Sequence, residues 1–592
     1  MTTAHYLKLR KNIALNGDVA LAMRELSTLY EKVILINKIE EVFAYVELPK
    51  KLLSNHIRKK SPIGIVGLNP RKDIEEIVRL CSFIQEVWFA QSASAKLPEG
   101  LWYRKVTTLN GGNFVCAFPL MAAAEMLICI NGQEVSLKDF SGILDAISSD
   151  IKASPRVEKA ISRMLTSTPH VHGIHRYKAK FFPRMIRSFL VGTLYTLPKQ
   201  DNERIVLLDP FVGSGTALVE ASFIGVDSVG IDIDPLSCAI SNAKIDLMNI
   251  DVLTFRKAVS DFKQTIVSVE SAKNIDGEYV FPPWISKKFD AQRKSSKHDY
   301  TPELRKKYER EIAVIRKAIS REKSQQLRKI YEICLSDAIS KKFNIRMMGT
   351  GVGRFALEIR DTPLLRIVDA NLSNTLRAAN VCSVLKQAYG IKLAPSKVIN
   401  DTATKMPLKD GTISVILTSP PYLPASSGRE DYLIGKSISI TALGLMTSEQ
   451  IREGETKSVG SMRTNGNGDS TKLPPEVHEL YSWLKKDELR NIKAEPTIAY
   501  YQSLLKSLRE SHRVLSSNGV AIYVIGKESV FYNFSTRKVL YRVACDDIFE
   551  KMAKSCGFKI EARVDVELDK KNTNARPRSL DTYYETTFIL RK

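Results

Sequence analysis

Short apolar runs separated by stretches of helical spacing recur along the chain after about residue 200. Those with the clearest strand character are Ile205–Leu208, Ser228–Ile231, Ile413–Leu417 and Val520–Ile525. Continuous apolar strands bracketed by helices are typical of a parallel sheet that is buried on both faces. The pattern therefore predicts an α/β fold built on a doubly wound, largely parallel sheet.

The second and third strands of this sheet are far apart, because roughly 150 residues separate Pro235 from Val398, too many for one crossover. Within this interval the segment Lys287–Arg346 holds 18 Lys/Arg against 8 Asp/Glu, and much of it has helical spacing. We predict a basic helical insertion over 245–390. Its surplus of positive charge favours contact with DNA or RNA, with a solvated helical face as the alternative.

The remaining segments complete a chain of 592 residues, which is too long for a single hydrophobic core. Residues 1–150 alternate apolar runs with helical segments and predict an N-terminal α/β domain of unknown role. Segments 151–244 and 391–592 form the main domain. Residues 424–495 insert into the latter, and their polar, glycine-rich part predicts a flexible loop.

The formal net charge of +23 and the pI near 9.4 favour a polyanionic partner, and nucleic acid is the leading candidate. The alternative is a basic surface with no partner.

The 8 cysteines are scattered, which predicts free thiols in a reducing cytoplasm. The start of the chain does not resemble a secretory signal, and the apolar run Phe114–Ile130 is too short to span a bilayer comfortably, so we expect buried core and no membrane partner.

Two further groups of residues suggest ligands that the sequence does not support. His170, His172 and His175 lack acidic or cysteine neighbours at metal-binding spacing, so we expect them to order a loop through hydrogen bonds and predict no metal. Gly349–Gly353 has neither a preceding apolar strand nor a suitably placed lysine, so we interpret it as a turn within the insertion.

A glycine-rich turn, Asp209-Pro210-Phe211-Val212-Gly213-Ser214-Gly215-Thr216, follows the first predicted strand. Its glycines allow close approach of a ligand, and a carboxylate at the strand tip suits a cationic, amino-bearing ligand better than a phosphate. The turn lacks the lysine of a phosphate loop and the glycine spacing of a dinucleotide site. About 20 residues further on, Asp232 stands where folds of this kind hold a ribose.

The segment Thr418-Ser419-Pro420-Pro421-Tyr422 directly follows the strand Ile413–Leu417. The Ser419 hydroxyl and the Pro420 carbonyl are hydrogen-bond acceptors. Pro420 and Pro421 carry no N–H donor and stiffen the segment, and Tyr422 offers an aromatic face.

The glycine turn together with Thr418-Ser419-Pro420-Pro421-Tyr422 resembles the amino-methylating DNA methyltransferases, which make N4-methylcytosine or N6-methyladenine. The resemblance implies a Rossmann-like methyltransferase fold with S-adenosylmethionine as cofactor and a terminal antiparallel pair of strands, Phe558–Leu568 and Thr586–Leu590. It places the third strand just before Asp401. The segment His172–Pro183 resembles the motif that these enzymes place beside the methionine part of the cofactor.

The resemblance also implies roles for individual residues. Asp209 and the glycine turn would hold the methionine part, Asp232 the ribose and Asp401 the adenine amino group. The implied cofactor site comprises Tyr177, Lys180, Phe181, Pro183, Asp209, Pro210, Phe211, Gly213, Ser214, Gly215, Thr216, Asp232 and Asp401. The implied catalytic residues are Ser419, Pro420, Pro421 and Tyr422.

A base amino group is a poor nucleophile, so such an enzyme must accept hydrogen bonds from it and hold it in line with the methyl group. The Ser419 hydroxyl and the Pro420 carbonyl are suitable acceptors, and Tyr422 offers a face for stacking the extruded base. Methylation of cytosine C5 instead needs a cysteine next to proline, and the chain has no Pro-Cys pair.

The implied activity is site-specific methylation of a base flipped out of double-stranded DNA, within a restriction-modification or phage-defence system that has a cognate restriction subunit. A leading serine, here Ser419, is commoner among the N4-cytosine enzymes, so cytosine is preferred. Recognition is expected in the insertion 245–390, with 424–495 covering the target base. The alternatives are an N6-adenine DNA enzyme, an RNA base methyltransferase and a non-catalytic nucleic-acid-binding subunit.

Overall fold

The computed structural model describes the chain over a series of ranges. These are residues 3–10, 13, 16–46, 61–92, 100–109, 112–130, 132, 134–149, 154–162, 169–177, 180–197, 204–272, 275, 278–291, 300–347, 355–423, 432–464, 470–533, 535–536, 538–568 and 583–592.

The strands and helices alternate through most of this length. The strands are β1 Ala4–Leu9, β2 Tyr30–Ile36, β3 Gly64–Pro70, β4 Ile84–Ser92, β5 Tyr103–Leu109, β6 Gly112–Ala117, β7 Val206–Asp209, β8 Asp227–Asp232, β9 Phe343–Met347, β10 Phe355–Ile359, β11 Ser396–Asn400, β12 Ile413–Thr418, β13 Leu515–Gly526, β14 Glu528–Tyr532, β15 Val539–Ala544, β16 Lys559–Leu568 and β17 Tyr583–Arg591. The α-helices are α1 Asn16–Leu29, α2 Ile39–Val42, α3 Ile74–Leu80, α4 Leu120–Ile128, α5 Leu137–Ser148, α6 Pro155–Ser162, α7 Pro183–Leu194, α8 Thr216–Phe223, α9 Pro235–Asn249, α10 Val252–Glu270, α11 Pro283–Asp290, α12 Pro302–Ser320, α13 Gln325–Lys342, α14 Leu364–Ala388, α15 Ser437–Ala442, α16 Ser448–Lys457, α17 Pro475–Lys486, α18 Ala494–Val514 and α19 Cys545–Ser555. Short 3-10 helices cover His170–Gly173, Ile434–Lys436, Ser470–Lys472 and Asn491–Lys493.

The central sheet has seven strands in the order β11-β8-β7-β12-β13-β17-β16. The first five strands of this order run parallel to one another. Strand β17 is antiparallel to β13, and β16 is antiparallel to β17. The structure thus confirms the doubly wound α/β sheet, the antiparallel terminal pair and the third strand directly before Asp401. Strand order reverses between β7 and β12, and in such sheets ligands bind in the crevice at the carboxyl ends of the strands flanking that point.

Apolar side chains cover both faces of the sheet. Leu207 and Val415 face one hydrophobic cluster, while their neighbours Leu208 and Ile416 face another, and all four are fully buried. Each such side chain stabilises the fold by about 1.5–3 kcal/mol. The two-sided burial explains why these strands are continuously apolar in the sequence.

Strand β13 begins earlier than its apolar pattern indicates. The polar run Ser516–Gly519 predicts a turn before Val520, yet the strand starts at Leu515. Pairing with β12 passes from Ile413–Leu515 to Val415–Val520, so the polar residues between bulge out of the ladder. The polar residues of the predicted turn therefore lie outside the ladder, within a strand that starts earlier than its apolar pattern.

The N-terminal region forms a second sheet, in the order β2-β3-β1-β4-β6-β5, and all of its strand pairs are antiparallel. One face of this sheet shares a continuous hydrophobic cluster with the main domain, which runs from Leu7 through Phe189 to Leu335. Helix α1 packs on α7 and on β16. The N-terminal region is thus attached to the main domain through a common core.

The insertion 245–390 is largely helical, as its spacing predicts, and it also holds the unpredicted hairpin β9–β10. Helix α14 is mostly interior, because 15 of its 25 residues are buried. Helices α10 and α13 pack against it. A large part of the insertion therefore supports the core. Residues 349–353, interpreted as a turn, lie outside the described residues.

The segment 424–495 is helical over most of the residues described there, although its polar, glycine-rich part predicts a flexible loop. Helices α15, α16 and α17 and three short 3-10 helices occupy most of 432–464 and 470–495. Apolar contacts pack these elements onto the fold. Leu433, Ile434 and Ile451 form one hydrophobic cluster with Leu236 and Ile240 of α9. Residues 424–431 and 465–469 lie outside the described residues.

None of the helices that the structure describes combines the length and apolar character needed to span a lipid bilayer. The run Phe114–Ile130 becomes strand β6 and helix α4, and both are buried. All eight cysteines are free thiols, as predicted.

Candidate active site at the carboxyl ends of the strands

Asp209 ends β7 and Thr418 ends the neighbouring strand β12, so the two predicted motifs meet at the reversal of strand order. The Thr418 hydroxyl donates to Oδ1 of Asp209 at 2.7 Å, and the N–H of Phe211 donates to the same oxygen at 3.1 Å. Burial raises the pKa of Asp209 to about 7. A buried carboxylate with Oδ2 available is suited to a cationic ligand.

The glycine turn is held from behind by helix α9. Gly213 and Gly215 have φ of 49° and 74°, a backbone region that favours glycine. The Ser241 hydroxyl donates to the carbonyl of Gly213 at 3.1 Å, and the Lys244 ammonium donates to that of Ser214 at 2.6 Å. Pro210, Ser214 and Thr216 are buried, whereas Phe211 and Gly213 are partly exposed.

Replacing Gly215 by alanine should lower the free energy of unfolding by about 2–4 kcal/mol. About 1–2 kcal/mol comes from the left-handed backbone. The rest, about 1–3 kcal/mol, comes from overpacking, because the new Cβ would lie 2.7 Å from Oγ and 3.1 Å from Cα of Ser241. Gly225→Ala is the matched control, since Gly225 has φ of 82° and open space around it. Equal losses in urea titrations of the two variants would contradict the predicted clash.

Asp232 ends β8 beside the turn. Its Oδ2 accepts from the N–H of Gly213 at 2.8 Å and its Oδ1 from the N–H of Asp234 at 2.9 Å. Burial and the Asp234 carboxylate raise the pKa of Asp232 to about 6. Asp401 follows β11, donates its N–H to the Asp232 carbonyl at 3.1 Å and is exposed at the same crevice. The structure brings these acids together as the sequence predicts.

Tyr177 covers the other side of the turn. Its hydroxyl lies 3.0 Å from Oγ of Ser237, and a Cβ on Gly213 would come within 3.3 Å of it. Lys436 lies above the Tyr177 ring, with Nζ 4.6 Å from the centroid, and its ammonium pairs with Asp234 at 2.6 Å. Sequence reasoning missed Lys436, which lies more than 200 residues from both partners and in no recognisable motif.

The remaining residues of the predicted cofactor motif lie at the start of α7. Pro183 is the first residue of that helix and is buried, and Phe181 packs against the main core. Lys180 directs its ammonium to the carbonyls of His172 and His175. Burial lowers the pKa of Lys180 to about 8. This contact orders the 169–177 loop, and the role of Lys180 toward a cofactor stays a prediction.

The three histidines are buried, and His172 has an acidic partner from a distant part of the sequence. His172 Nε2 donates to Oε1 of Glu220 at 2.7 Å, and His170 Nε2 lies 4.0 Å from the same oxygen. The possible metal-ligand atoms of His170, His172 and Glu220 lie within 4.8 Å of one another. Arg187 already holds Oε2 of Glu220 at 2.6 Å. Burial and the neighbouring His172 keep the pKa of His170 well below its usual range, and Arg187 and Lys244 lower it further. The absence of a metal at this cluster stays a prediction.

The catalytic segment leaves β12 and is packed from two sides. The Tyr500 hydroxyl of α18 donates to the carbonyl of Pro421 at 3.0 Å, and Gly460 lies against Pro421 and Tyr422. The Tyr422 hydroxyl donates to Oε1 of Glu585 at 2.8 Å. Pro420 is buried, whereas Ser419 and Tyr422 are partly exposed. Glu585 was also missed, because nothing in its sequence surroundings marks it.

The chain is similar to type II methyltransferases. It is 39% identical over 114 residues to M.MjaII of Methanocaldococcus jannaschii, covering 19% of this chain and 19% of that protein. It is 23% identical over 373 residues to M.MvaI of Kocuria varians, covering 61% and 77%. It is 34% identical over 79 residues to M.BsoBI of Geobacillus stearothermophilus, covering 13% and 14%. The match to M.MjaII thus spans about a fifth of that relative.

Other comparisons add less. No model of a protein family matches the chain. A solved S-adenosylmethionine-dependent methyltransferase of Methanosarcina mazei covers 68% of this chain and 96% of its own, with 8% identity and a TM-score of 0.23. The assignment of the fold therefore rests on the strand order and directions of the sheet itself.

Proposed function

We propose that this chain is a DNA methyltransferase that transfers the methyl group of S-adenosylmethionine to the exocyclic amino group of a flipped base. One observation carries the proposal. The hydrogen bond between Asp209 and Thr418 joins the glycine turn to the Ser-Pro-Pro-Tyr segment across neighbouring strands, at the crevice where such sheets bind ligands. The similarity to proteins named type II methyltransferases supports the same activity.

The crevice residues fit S-adenosylmethionine in their chemistry. Asp209 offers Oδ2 to the ammonium of the methionine part, and Gly213 allows the close approach of this part. Asp232 can accept from the ribose hydroxyls, because a carboxylate has about four lone-pair sites and Gly213 and Asp234 use only two. Asp401 is exposed for the adenine amino group. When bound, the cofactor supplies a methyl group on a sulfonium.

The catalytic segment supplies hydrogen-bond acceptors and a stacking surface. The Ser419 hydroxyl and the Pro420 carbonyl each accept a hydrogen bond from the amino group. These bonds hold its nitrogen in line with the methyl group. Pro420 and Pro421 carry no N–H donor and stiffen the segment. Tyr422 stacks on the extruded base. These residues need no covalent bond to the base.

Cytosine N4 is the proposed target, because the segment begins with Ser419 and a leading serine is commoner among the N4-cytosine enzymes. The test is to incubate the protein with duplex DNA and methyl-labelled cofactor, digest the DNA and identify the labelled nucleoside by mass spectrometry. N4-methylcytosine is expected, whereas N6-methyladenine would move the assignment to adenine. Label on RNA alone would favour the RNA alternative. No transfer together with no cofactor binding in calorimetry would favour a non-catalytic nucleic-acid-binding subunit.

Contact with DNA is assigned to the basic surface of the chain, which has a net charge of +23. The hairpin β9–β10 of the insertion 245–390 supports this assignment, because β9 contacts the Ile434–Lys436 turn beside the crevice and carries the exposed Arg346. The proposal also includes target recognition by this part of the insertion. It further includes a cognate restriction or defence subunit and a cytoplasmic location.

The stacking role of Tyr422 predicts a difference between two substitutions. Tyr422→Phe keeps the ring, whereas Tyr422→Ala removes it, so the second variant should have a kcat/KM for DNA roughly five- to a hundredfold below the first. Steady-state methylation of a short duplex at saturating cofactor measures this ratio. Equal values for the two variants would contradict stacking.

A further inference from the structure

A chain of hydrogen bonds leads from the catalytic segment to the last strand. The Tyr422 hydroxyl lies 2.8 Å from Oε1 of Glu585, and Oγ of Ser419 lies 3.5 Å from the same hydroxyl. A carboxylate only accepts hydrogen bonds, so the Tyr422 proton is directed to Glu585. The tyrosine oxygen then acts as an acceptor toward Ser419. The chain therefore has one direction, from Ser419 through Tyr422 to Glu585.

The topology of the sheet explains why a residue so distant in sequence reaches the site. Strand β17 runs antiparallel to β13, so its beginning lies at the carboxyl ends of the parallel strands. Glu585 pairs there with Gly526, the last residue of β13. It thus projects from a strand that is hydrogen-bonded on both sides, to β13 and to β16. A group on such an element is held more precisely than one on a loop.

We propose that Glu585 is a positioning residue that fixes the Ser419 hydroxyl as an acceptor toward the target amino group; the inference rests on the proposed amino methylation. With its proton directed to Tyr422, Ser419 presents lone pairs to the amino hydrogens. Without Glu585, Tyr422 can donate to Ser419 instead, and the serine proton then points toward the amino group. The separation of 3.5 Å is long for this bond, and such catalytic contacts tighten when substrate binds.

The test compares Glu585→Ala, Tyr422→Phe and the double variant by single-turnover methylation at saturating DNA and cofactor. Glu585→Ala should lower the methylation rate roughly tenfold, the value of one oriented hydrogen bond. Its cofactor Kd should equal that of the wild type, which also reports a correct fold. In the Tyr422→Phe background, removing Glu585 should cause no further loss, because the chain is already interrupted.

Two further variants sharpen the result. Glu585→Gln keeps an acceptor oxygen at the same place and should give an intermediate rate. Glu561→Ala removes a carboxylate from the same pair of terminal strands, where it binds Arg591 at 2.6 Å, and should leave the rate unchanged. A further loss from Glu585→Ala in the Tyr422→Phe background would overturn the positioning role and indicate a structural one. An unchanged rate for Glu585→Ala would overturn it too, whereas a wild-type protein that transfers no methyl group would instead overturn the proposed function.

Discussion

Replacing Asp209 by asparagine should weaken the binding of S-adenosylmethionine about a hundredfold or more while leaving the fold intact. Oδ1 of Asp209 accepts both protein hydrogen bonds, from Phe211 and from Thr418. An asparagine carbonyl keeps both, but its amide nitrogen replaces the oxygen offered to the cofactor ammonium. A charged hydrogen bond contributes about 1.5–3 kcal/mol, and leaving its buried partner unpaired costs more. Isothermal titration calorimetry of the two proteins measures the change in Kd.

The same substitution should remove a pH dependence of cofactor affinity. Burial raises the pKa of Asp209 to about 7, so the wild-type carboxylate gains its charge as the pH rises through this value. The α-amino group of the cofactor stays largely protonated below about pH 7.7, so wild-type affinity should increase between about pH 6 and about pH 7.5. Any slope that remains in the variant reports Asp232, whose pKa is about 6. Equal slopes in both proteins would show that Asp209 does not contact the cation.

Stability measurements separate this effect from misfolding. Burial raises the folded-state pKa of Asp209 above the ordinary value of 3.8. Its contribution to stability is therefore fully present below about pH 4 and is lost as the pH rises toward about 7. Asp209→Asn lacks this loss, so in thermal unfolding without cofactor at about pH 8 the variant should be at least as stable as the wild type. A lower stability would attribute its weaker binding to damage to the fold.

The sheet and much of the crevice follow from the sequence because both depend on strand ends. Strands buried on both faces are continuously apolar, which marks β7, β8, β12 and β13, and parallel strands carry their carboxyl ends to one edge. Residues that directly follow such strands must therefore lie close together. Asp209, Asp232 and Ser419 lie at the ends of such strands. Asp401 follows β11, which has no buried residue and is located in the sequence only by the family resemblance, and the structure places all four residues at one edge of the sheet.

The rest depends on contacts between segments that are distant in sequence. Lys436 reaches Asp234 because apolar residues pack 432–464 onto α9, and the polar character of the neighbouring glycine-rich run hides this packing. Glu585 reaches Tyr422 because an antiparallel strand returns it to the crevice. Glu220 meets His172 only when helix α8 packs behind the glycine turn. No spacing of residues in the sequence predicts any of these three contacts.

The charged group around Glu220 has the largest expected effect on stability. Glu220 and Arg187 are fully buried, and the Arg187 guanidinium donates to Oε2 of Glu220 at 2.6 Å and to the carbonyl of Arg79 in α3 at 2.9 Å. The pair thus connects the N-terminal region with α7 and α8. Arg187→Met should lower the free energy of unfolding by about 3–5 kcal/mol, because it leaves the Glu220 carboxylate buried with only the hydrogen bond from His172. Urea titration followed by circular dichroism measures the loss.

A second substitution distinguishes the lost contact from the charge left behind. In Arg187→Met/Glu220→Gln the uncompensated charge is gone, so this double variant should be more stable than Arg187→Met alone. Arg204→Met is the matched control, because Arg204 pairs with Asp227 at 2.5 Å but its side chain is 72% exposed, and its removal should cost no more than about 1 kcal/mol. If Arg187→Met and Arg204→Met cost the same, the buried pair does not hold the N-terminal region to the main domain. Their shared core would then do so through apolar contacts alone.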